Sequence, residues 1–192
     1  MRHHILVASL ALTTLHVLPA TALHAQDAEQ RTRCDQAVEL FKKTDPHLGK
    51  FFQSSVGYAI FPSVGKGALV VGGAAGTGCL YQGGAILGQA KLVQVTFGLQ
   101  LGGQSYAEVI FFPNDDVIAA FKRNTFEMSA QMSAVAAASG ASANAKYRQG
   151  VLVFTVAKGG LMYEASVGGQ KFTFKPLAKD TVTTPGAEKP KD

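Results

Sequence analysis

The sequence predicts an α+β fold, mostly antiparallel β, in which a barrel-like or sandwiched sheet is flanked by two or three short helices. Glycine is frequent, at 21 of 192 residues, and charged residues make up only 16%, which favours closely packed strands and tight turns over long surface helices. Apolar segments follow one another through short links, which indicates antiparallel pairing rather than βαβ units. Many short strands with edges to protect favour a curved or stacked sheet.

The first 25 residues have the three-part pattern of a secretory signal peptide. A basic start precedes the apolar run Ile5–Val17, and small residues follow around Ala22 and Ala25. This run of about a dozen residues is short for a membrane anchor, the alternative interpretation, because a spanning helix needs roughly 20. We expect cleavage after Ala25, with Ala22 as the alternative, and hence a periplasmic or secreted protein. Residues 26–175 then form the domain, and residues 176–192 a polar tail predicted to be disordered.

Three helices are expected from apolar spacing and capping residues. The segment Gln26–Thr44 is the first helix, and its apolar face consists of Ala37, Val38, Leu40 and Phe41. Asp45 as N-cap and Pro46 at the first helical position begin a short second helix that ends near Gln53. Asn114 caps a third helix, which ends near Asn124.

Strands are predicted where the apolar period changes to two or where turn residues bound an apolar run. They are Val56–Phe61, Ala68–Ala75, Gly78–Tyr81, Ala85–Gly88, Lys91–Gly102, Tyr106–Phe112, Val151–Val156, Leu161–Val167 and Lys171–Phe174. A turn is expected over Ser63–Gly67 and a hairpin turn over Gln82–Gly84. In Lys91–Gly102, strict alternation predicts that the row containing Val93 is buried and the row containing Gln94 is polar and exposed. Residues 128–145 fit a helix or a strand, and their neighbours favour a strand.

The sequence predicts no catalytic residues, no metal site and no cofactor. After cleavage His47 is the one histidine, at a predicted helix start, and the chain has no Gly-x-Ser-x-Gly nucleophile turn. Its glycine-rich segments match neither the dinucleotide-binding nor the P-loop pattern, and ligand spacing for zinc is absent. Cys34 and Cys79 form a possible disulfide, because export would allow one to persist; two buried thiols are the alternative.

The charge balance favours an anionic partner only mildly. Without Arg2, 17 basic residues face 13 acidic ones, which is short of the dense basic stripe typical of nucleic-acid binding. The candidate site consists of Lys66 and Lys158 in glycine turns whose exposed amides could hold a phosphate. The turn glycines are Gly65, Gly67, Gly159 and Gly160, and the basic rim would come from Lys42, Lys43, Lys122 and Arg123. Solvated lysines at turns are the alternative interpretation.

Three segments resemble the motifs of the SYLF domain family, in the same order. They are residues 56–67, from Val-Gly-Tyr-Ala-Ile-Phe-Pro to Gly-Lys-Gly; residues 94–106, which contain Phe-Gly-Leu-Gln-Leu-Gly-Gly-Gln-Ser-Tyr; and residues 158–172, which begin Lys-Gly-Gly-Leu-Met-Tyr-Glu-Ala. The resemblance implies a lipid-binding module without enzymatic activity, since eukaryotic relatives bind phosphoinositides and are described as actin-binding regulators, while bacterial members are exported. It therefore implies binding of anionic phospholipid headgroups at a membrane surface of the cell envelope. An envelope protein–protein interaction module is the alternative.

Overall fold

The computed structural model describes residues 20–68, 71–97, 104–129, 132–158 and 164–177, which contain three α-helices and eight strands. The helices are α1 (Ala20–Thr44), α2 (Gly49–Ser54) and α3 (Asp115–Lys122), with a short 3₁₀ turn at Pro46–Leu48 before α2. The strands are β1 (Gly57–Ala68), β2 (Val71–Gln82), β3 (Ala85–Phe97), β4 (Gln104–Phe112), β5 (Ser133–Ala136), β6 (Leu152–Ala157), β7 (Glu164–Ser166) and β8 (Gln170–Pro176).

All eight strands form one open sheet, in the order β7-β5-β6-β4-β1-β2-β3-β8. Every neighbouring pair is antiparallel except β5 and β6, which are parallel. The predicted α+β class with a mostly antiparallel sheet is therefore confirmed. The parallel pair arises because β5 and β6 are joined by the crossover segment 137–151 rather than by a hairpin.

The sheet curls until its two edges come close together. The edge strands β7 and β8 are consecutive in the chain and are joined by the three-residue link Val167–Gly169. The curl encloses an inner core to which strands from both halves of the sheet contribute, among them Phe61, Leu80, Leu92, Tyr106, Phe112, Val153 and Phe172. Helix α3 adds Ile118 and Phe121 to the same core. The inner face of the sheet is thus the main apolar interior.

Helix α1 covers part of the outer face of the sheet. Its buried residues Cys34, Ala37, Val38 and Phe41 follow helical spacing and pack against the outward side chains of β1, β2, β4 and β6. A disulfide joins Cys34 to Cys79 of β2, and the Tyr81 hydroxyl donates to the Asp35 carboxylate at 2.6 Å. These two links fix α1 across the sheet. Its first turns, Ala20–Ala25, precede the expected cleavage point, and residues 1–19 lie outside the described part.

Strand β1 corrects the prediction that Pro62 ends a strand and that Ser63–Gly67 is a turn. The strand continues to Ala68, and the register of both neighbouring ladders shifts around Pro62. A bulge is where a central strand tolerates proline, because the ring removes one ladder donor. Of the strand predicted over Ala68–Ala75, residue 68 ends β1 and residues 71–75 begin β2.

Strand β3 reverses the predicted faces of its alternating pattern. Val93 is 54% exposed, whereas Gln94 is 3% exposed and donates from its amide to the Gly168 carbonyl oxygen at 2.7 Å. The inward row of this strand contains Ala90 and Leu92. The prediction was wrong because the polar side chain occupies the inner face, where the link between the edge strands supplies an acceptor. This correction applies to the pattern as far as Gln94, and positions 98–102 of the pattern lie outside the described residues.

Local signals were more reliable. Gly83 and Gly84 have φ angles of 58° and 79° and form the hairpin turn between β2 and β3. The Asp45 and Asn114 side chains accept from the backbone nitrogens of His47 and Val117, as expected of N-caps.

In residues 128–145, the four-residue β5 is followed by turns. The predicted tail beyond residue 177 is outside the described part. Among the described helices, none combines the length and apolar character of a membrane span.

Candidate anion-binding surface

Lys158 directly follows β6, at the end of the sheet that also contains the end of β1. Its backbone nitrogen donates to the Ser105 carbonyl oxygen at 2.8 Å, and Ser105 is paired with Gly65 of β1. The three residues therefore form one row across β6, β4 and β1. The hydroxyls of Ser63 and Ser105 are hydrogen-bonded at 3.0 Å beside this row, which fixes the local geometry.

Helix α1 brings a second cation to this row. Arg33 and Lys158 line one shallow depression of about 140 Å³, together with Gln36, Ala37, Leu40 and Pro62. The helical residues of this set are three or four positions apart, so they share one flank of α1. The bulge at Pro62 forms the floor between the helix and the end of the sheet.

The depression has a positive charge balance. Arg33 and Lys158 are both exposed, and none of the described residues that line the depression is acidic. Among the described residues, ion pairs at 3.0 Å join Lys42 to Glu39 and Lys171 to Glu127, and neither involves these two cations. The nearby carboxylate of Asp35 accepts the Tyr81 hydroxyl. Two cations therefore face solvent together, an arrangement that can hold a phosphate or carboxylate group.

Lys42 and Lys43 do not join this pair of cations. They lie in the last turn of α1, nine and ten residues after Arg33, which corresponds to roughly 13.5–15 Å along a helix. Lys42 pairs with Glu39, and its ammonium lies 5.7 Å from the centroid of the Phe52 ring. These lysines therefore form a separate basic region at the other end of the helix.

Lys66 lies in a strand rather than in the predicted glycine turn. Its backbone is paired with Ala74 of β2 and Gln104 of β4, one position beyond the row of Gly65 and Lys158. Gly67 is likewise paired, with Gly73. The structure thus places the backbones of Lys66 and Lys158 at the same end of the sheet, on strands separated by β4. Gly159 and Gly160 lie outside the described residues.

Sequence reasoning missed Arg33. On α1 it precedes Cys34 and follows Arg31 by two positions, but no glycine-rich turn marks it as part of a site. Its role depends on which flank of the helix approaches β6, and this is settled only by packing. His47 is exposed within the 3₁₀ turn, and in the described part of the chain no cluster of three His, Cys, Asp or Glu side chains could hold a metal.

Comparison with known proteins supports the family expected from the motifs. Residues 93–180 match the family model described as "Ysc84: Las17-binding protein actin regulator". Over 155 residues the chain is 26% identical to Beta cell expansion factor A of Aeromonas veronii, an alignment that covers 80% of this chain and 59% of that relative. The chain thus spans about three fifths of the length of this curated relative. Residues 93–180 therefore match the model of the Ysc84 (SYLF) family, which is the family that the three sequence motifs resemble.

Proposed function

We propose that this domain binds anionic phospholipid headgroups at a membrane surface of the cell envelope and catalyses no reaction. The observation that carries the proposal is the exposed pair of cations, Arg33 and Lys158, in one depression without an acidic lining residue. The family resemblance supports a binding or regulatory role. The location in the envelope rests on the predicted signal peptide.

The contribution of each cation is modest but sufficient for reversible attachment. A lysine or arginine near an anionic leaflet contributes about 1 kcal/mol, and the attraction decays within a Debye length. Arg33 can bind a phosphate through two parallel N–H groups, while Lys158 acts as a point charge. Lys66, whose backbone lies at the same end of the sheet, would extend the contact.

Vesicle co-sedimentation of residues 26–192 tests this function. We expect binding to vesicles that contain phosphatidylserine, weak binding to pure phosphatidylcholine, and release as salt increases, because exposed charges are screened. Comparison of phosphatidylserine with a phosphoinositide at equal charge separates general attraction from headgroup selectivity. Equal binding to neutral and anionic vesicles would contradict the proposal.

A second candidate function, protein–protein interaction in the envelope, is favoured by the uncovered outer side of β3. Val93 lies there between Ala75 of β2 and Lys171 of β8, and half of its surface is exposed. Gln94, which the alternating pattern predicted to be exposed, faces inward instead. The test is capture of a partner protein from envelope extract. If Val93→Arg abolishes the capture and Lys158→Glu does not change it, protein–protein interaction is favoured over lipid binding.

A further inference from the structure

A groove opens where the parallel strands β5 and β6 separate. Their ladder consists of Val135↔Phe154 and Ala136↔Thr155, and toward their N-terminal ends the strands diverge. The groove of about 650 Å³ lies in this gap, and its third wall is the segment 144–148. It is at the opposite end of β6 from Lys158, so it is separate from the candidate anion-binding surface.

The groove has an apolar floor and a cationic rim. The apolar floor consists of the half-buried side chains of Val135 and Ala145 beside the buried Leu152, all of which belong to the outer apolar cluster. Lys146 and Arg148 are exposed at the rim, and none of the described residues that line the groove is acidic. Apolar floor and basic rim together match a ligand with an apolar chain and a negative head.

The rim is held in place by the surrounding structure. Arg148 and Val151 exchange two backbone hydrogen bonds, at 2.8 and 3.0 Å, around a tight turn in which Gln149 and Gly150 have positive φ angles. The neighbouring Tyr147 hydroxyl is hydrogen-bonded to the Ser55 hydroxyl at 2.8 Å, and its ring packs edge-on against Phe51. The backbone that carries Arg148 is therefore fixed before any ligand arrives, which reduces the entropy lost on binding.

We propose that this groove binds a single-chain anionic amphiphile, with a carboxylate or phosphate monoester head at Arg148 and Lys146 and an alkyl chain along Val135 and Ala145. Its volume is within the range of about 300–1,000 Å³ typical of small-ligand sites. A gap between two strands, which are about 4.8 Å apart where they pair, admits one extended chain more readily than two. The guanidinium fork suits either head.

Isothermal titration calorimetry of residues 26–192 with decanoate and decyl phosphate, each below its micelle concentration, tests the assignment. We expect saturable binding of at least one of them, and preference between the two identifies the head. Decanol, acetate and a short acidic peptide should bind at least tenfold more weakly, because each lacks the head or the chain. If the acidic peptide binds instead, the groove is a peptide site and the proposal is wrong.

Two exposed positions provide variants that should fold. Arg148→Gln should weaken binding about tenfold or more through loss of charge-assisted hydrogen bonds, and Ser133→Trp should abolish it by filling the groove. Lys146→Gln provides a second test of the head, and Lys175→Gln, which removes one exposed charge outside the groove, is the control. Absence of decanoate and decyl phosphate binding to the wild-type protein, or binding unchanged by both Arg148→Gln and Ser133→Trp, would overturn the proposal whatever the outcome with vesicles.

Discussion

The side-chain amide of Gln170 donates to the Glu108 carboxylate at 3.0 Å, in the buried interior of the curled sheet. Gln170 is the first residue of edge strand β8, and Glu108 is in the middle of β4. The bond thus holds one edge of the sheet against its centre. Burial and the charge of Glu108 both raise the pKa of the neighbouring Tyr106 above its ordinary value, so its hydroxyl stays protonated beside the carboxylate.

Gln170→Leu should lower the free energy of unfolding by about 2–4 kcal/mol, because a buried carboxylate loses one of its donors. Urea denaturation at neutral pH measures the change. Glu108→Gln should cost less, since an acceptor oxygen remains while the buried charge is removed. Thr173→Leu, at an exposed position of the same strand, is the control and should stay within about 0.5 kcal/mol. A similar loss in Thr173→Leu and Gln170→Leu would contradict this role.

Asp45 should make stability depend on acid pH. Burial alone would raise the pKa of Asp45, but hydrogen bonds from Ser142, His47 and Gly140 outweigh it and hold the pKa below 3.8. The folded state therefore favours the charged carboxylate of Asp45. The resulting stabilisation is fully present above pH 3.8, the ordinary pKa, and is lost as pH falls through the lower pKa of the folded state. Asp45→Asn should cost about 1–3 kcal/mol at neutral pH. Its deficit relative to wild type should shrink in urea titrations near pH 3; a deficit independent of pH would refute the assignment.

Reduction of the Cys34–Cys79 disulfide should destabilise the domain by about 4 kcal/mol, because the bond closes a loop between residues 45 positions apart. Both cysteines are buried, so the native protein should resist reductant until it unfolds. Urea curves with and without dithiothreitol, after full reduction in denaturant, measure the difference. The double variant Cys34→Ala/Cys79→Ala should be insensitive to reductant, and identical wild-type midpoints in both conditions would disprove the contribution.

Adjacent residues of β3 test which row faces inward. Leu92 is buried in the inner core and Val93 is exposed. Leu92→Ala should therefore cost about 2–5 kcal/mol, while Val93→Thr should change the free energy of unfolding by no more than about 0.5 kcal/mol. Thermal or urea unfolding compares the pair. A larger loss of stability in Val93→Thr than in Leu92→Ala would contradict the observed orientation of β3 and favour the one predicted from the alternating pattern.

The features predicted correctly are those that depend on neighbouring residues. The Gly83–Gly84 turn requires positive φ angles, and the caps Asp45 and Asn114 satisfy backbone groups two or three residues away. These features depend only on the identities of four or five consecutive residues. The α+β class follows because short apolar runs joined by short links restrict the sheet to mostly antiparallel pairing.

The errors occurred where distant parts of the chain decide the outcome. Gln94 faces inward because the link at Gly168, which is 74 residues away, supplies an acceptor. Pro62 remains within β1 because strands on both sides accommodate a bulge. Arg33 approaches Lys158 only because α1 crosses the outer face at one angle, fixed by the Cys34 disulfide. Periodicity and turn propensity contain no information about these contacts.

The most direct test of the central claim is the affinity of Lys158→Glu for phosphatidylserine vesicles, compared with Lys175→Glu. Both variants exchange one exposed lysine for a glutamate, but Lys175, on β8, does not line the depression. If the depression of Arg33 and Lys158 binds the headgroups, Lys158→Glu should weaken vesicle binding by about 30-fold and Lys175→Glu by less than about threefold. Equal losses in the two variants would show that net charge alone drives attachment and would contradict the assignment of a site.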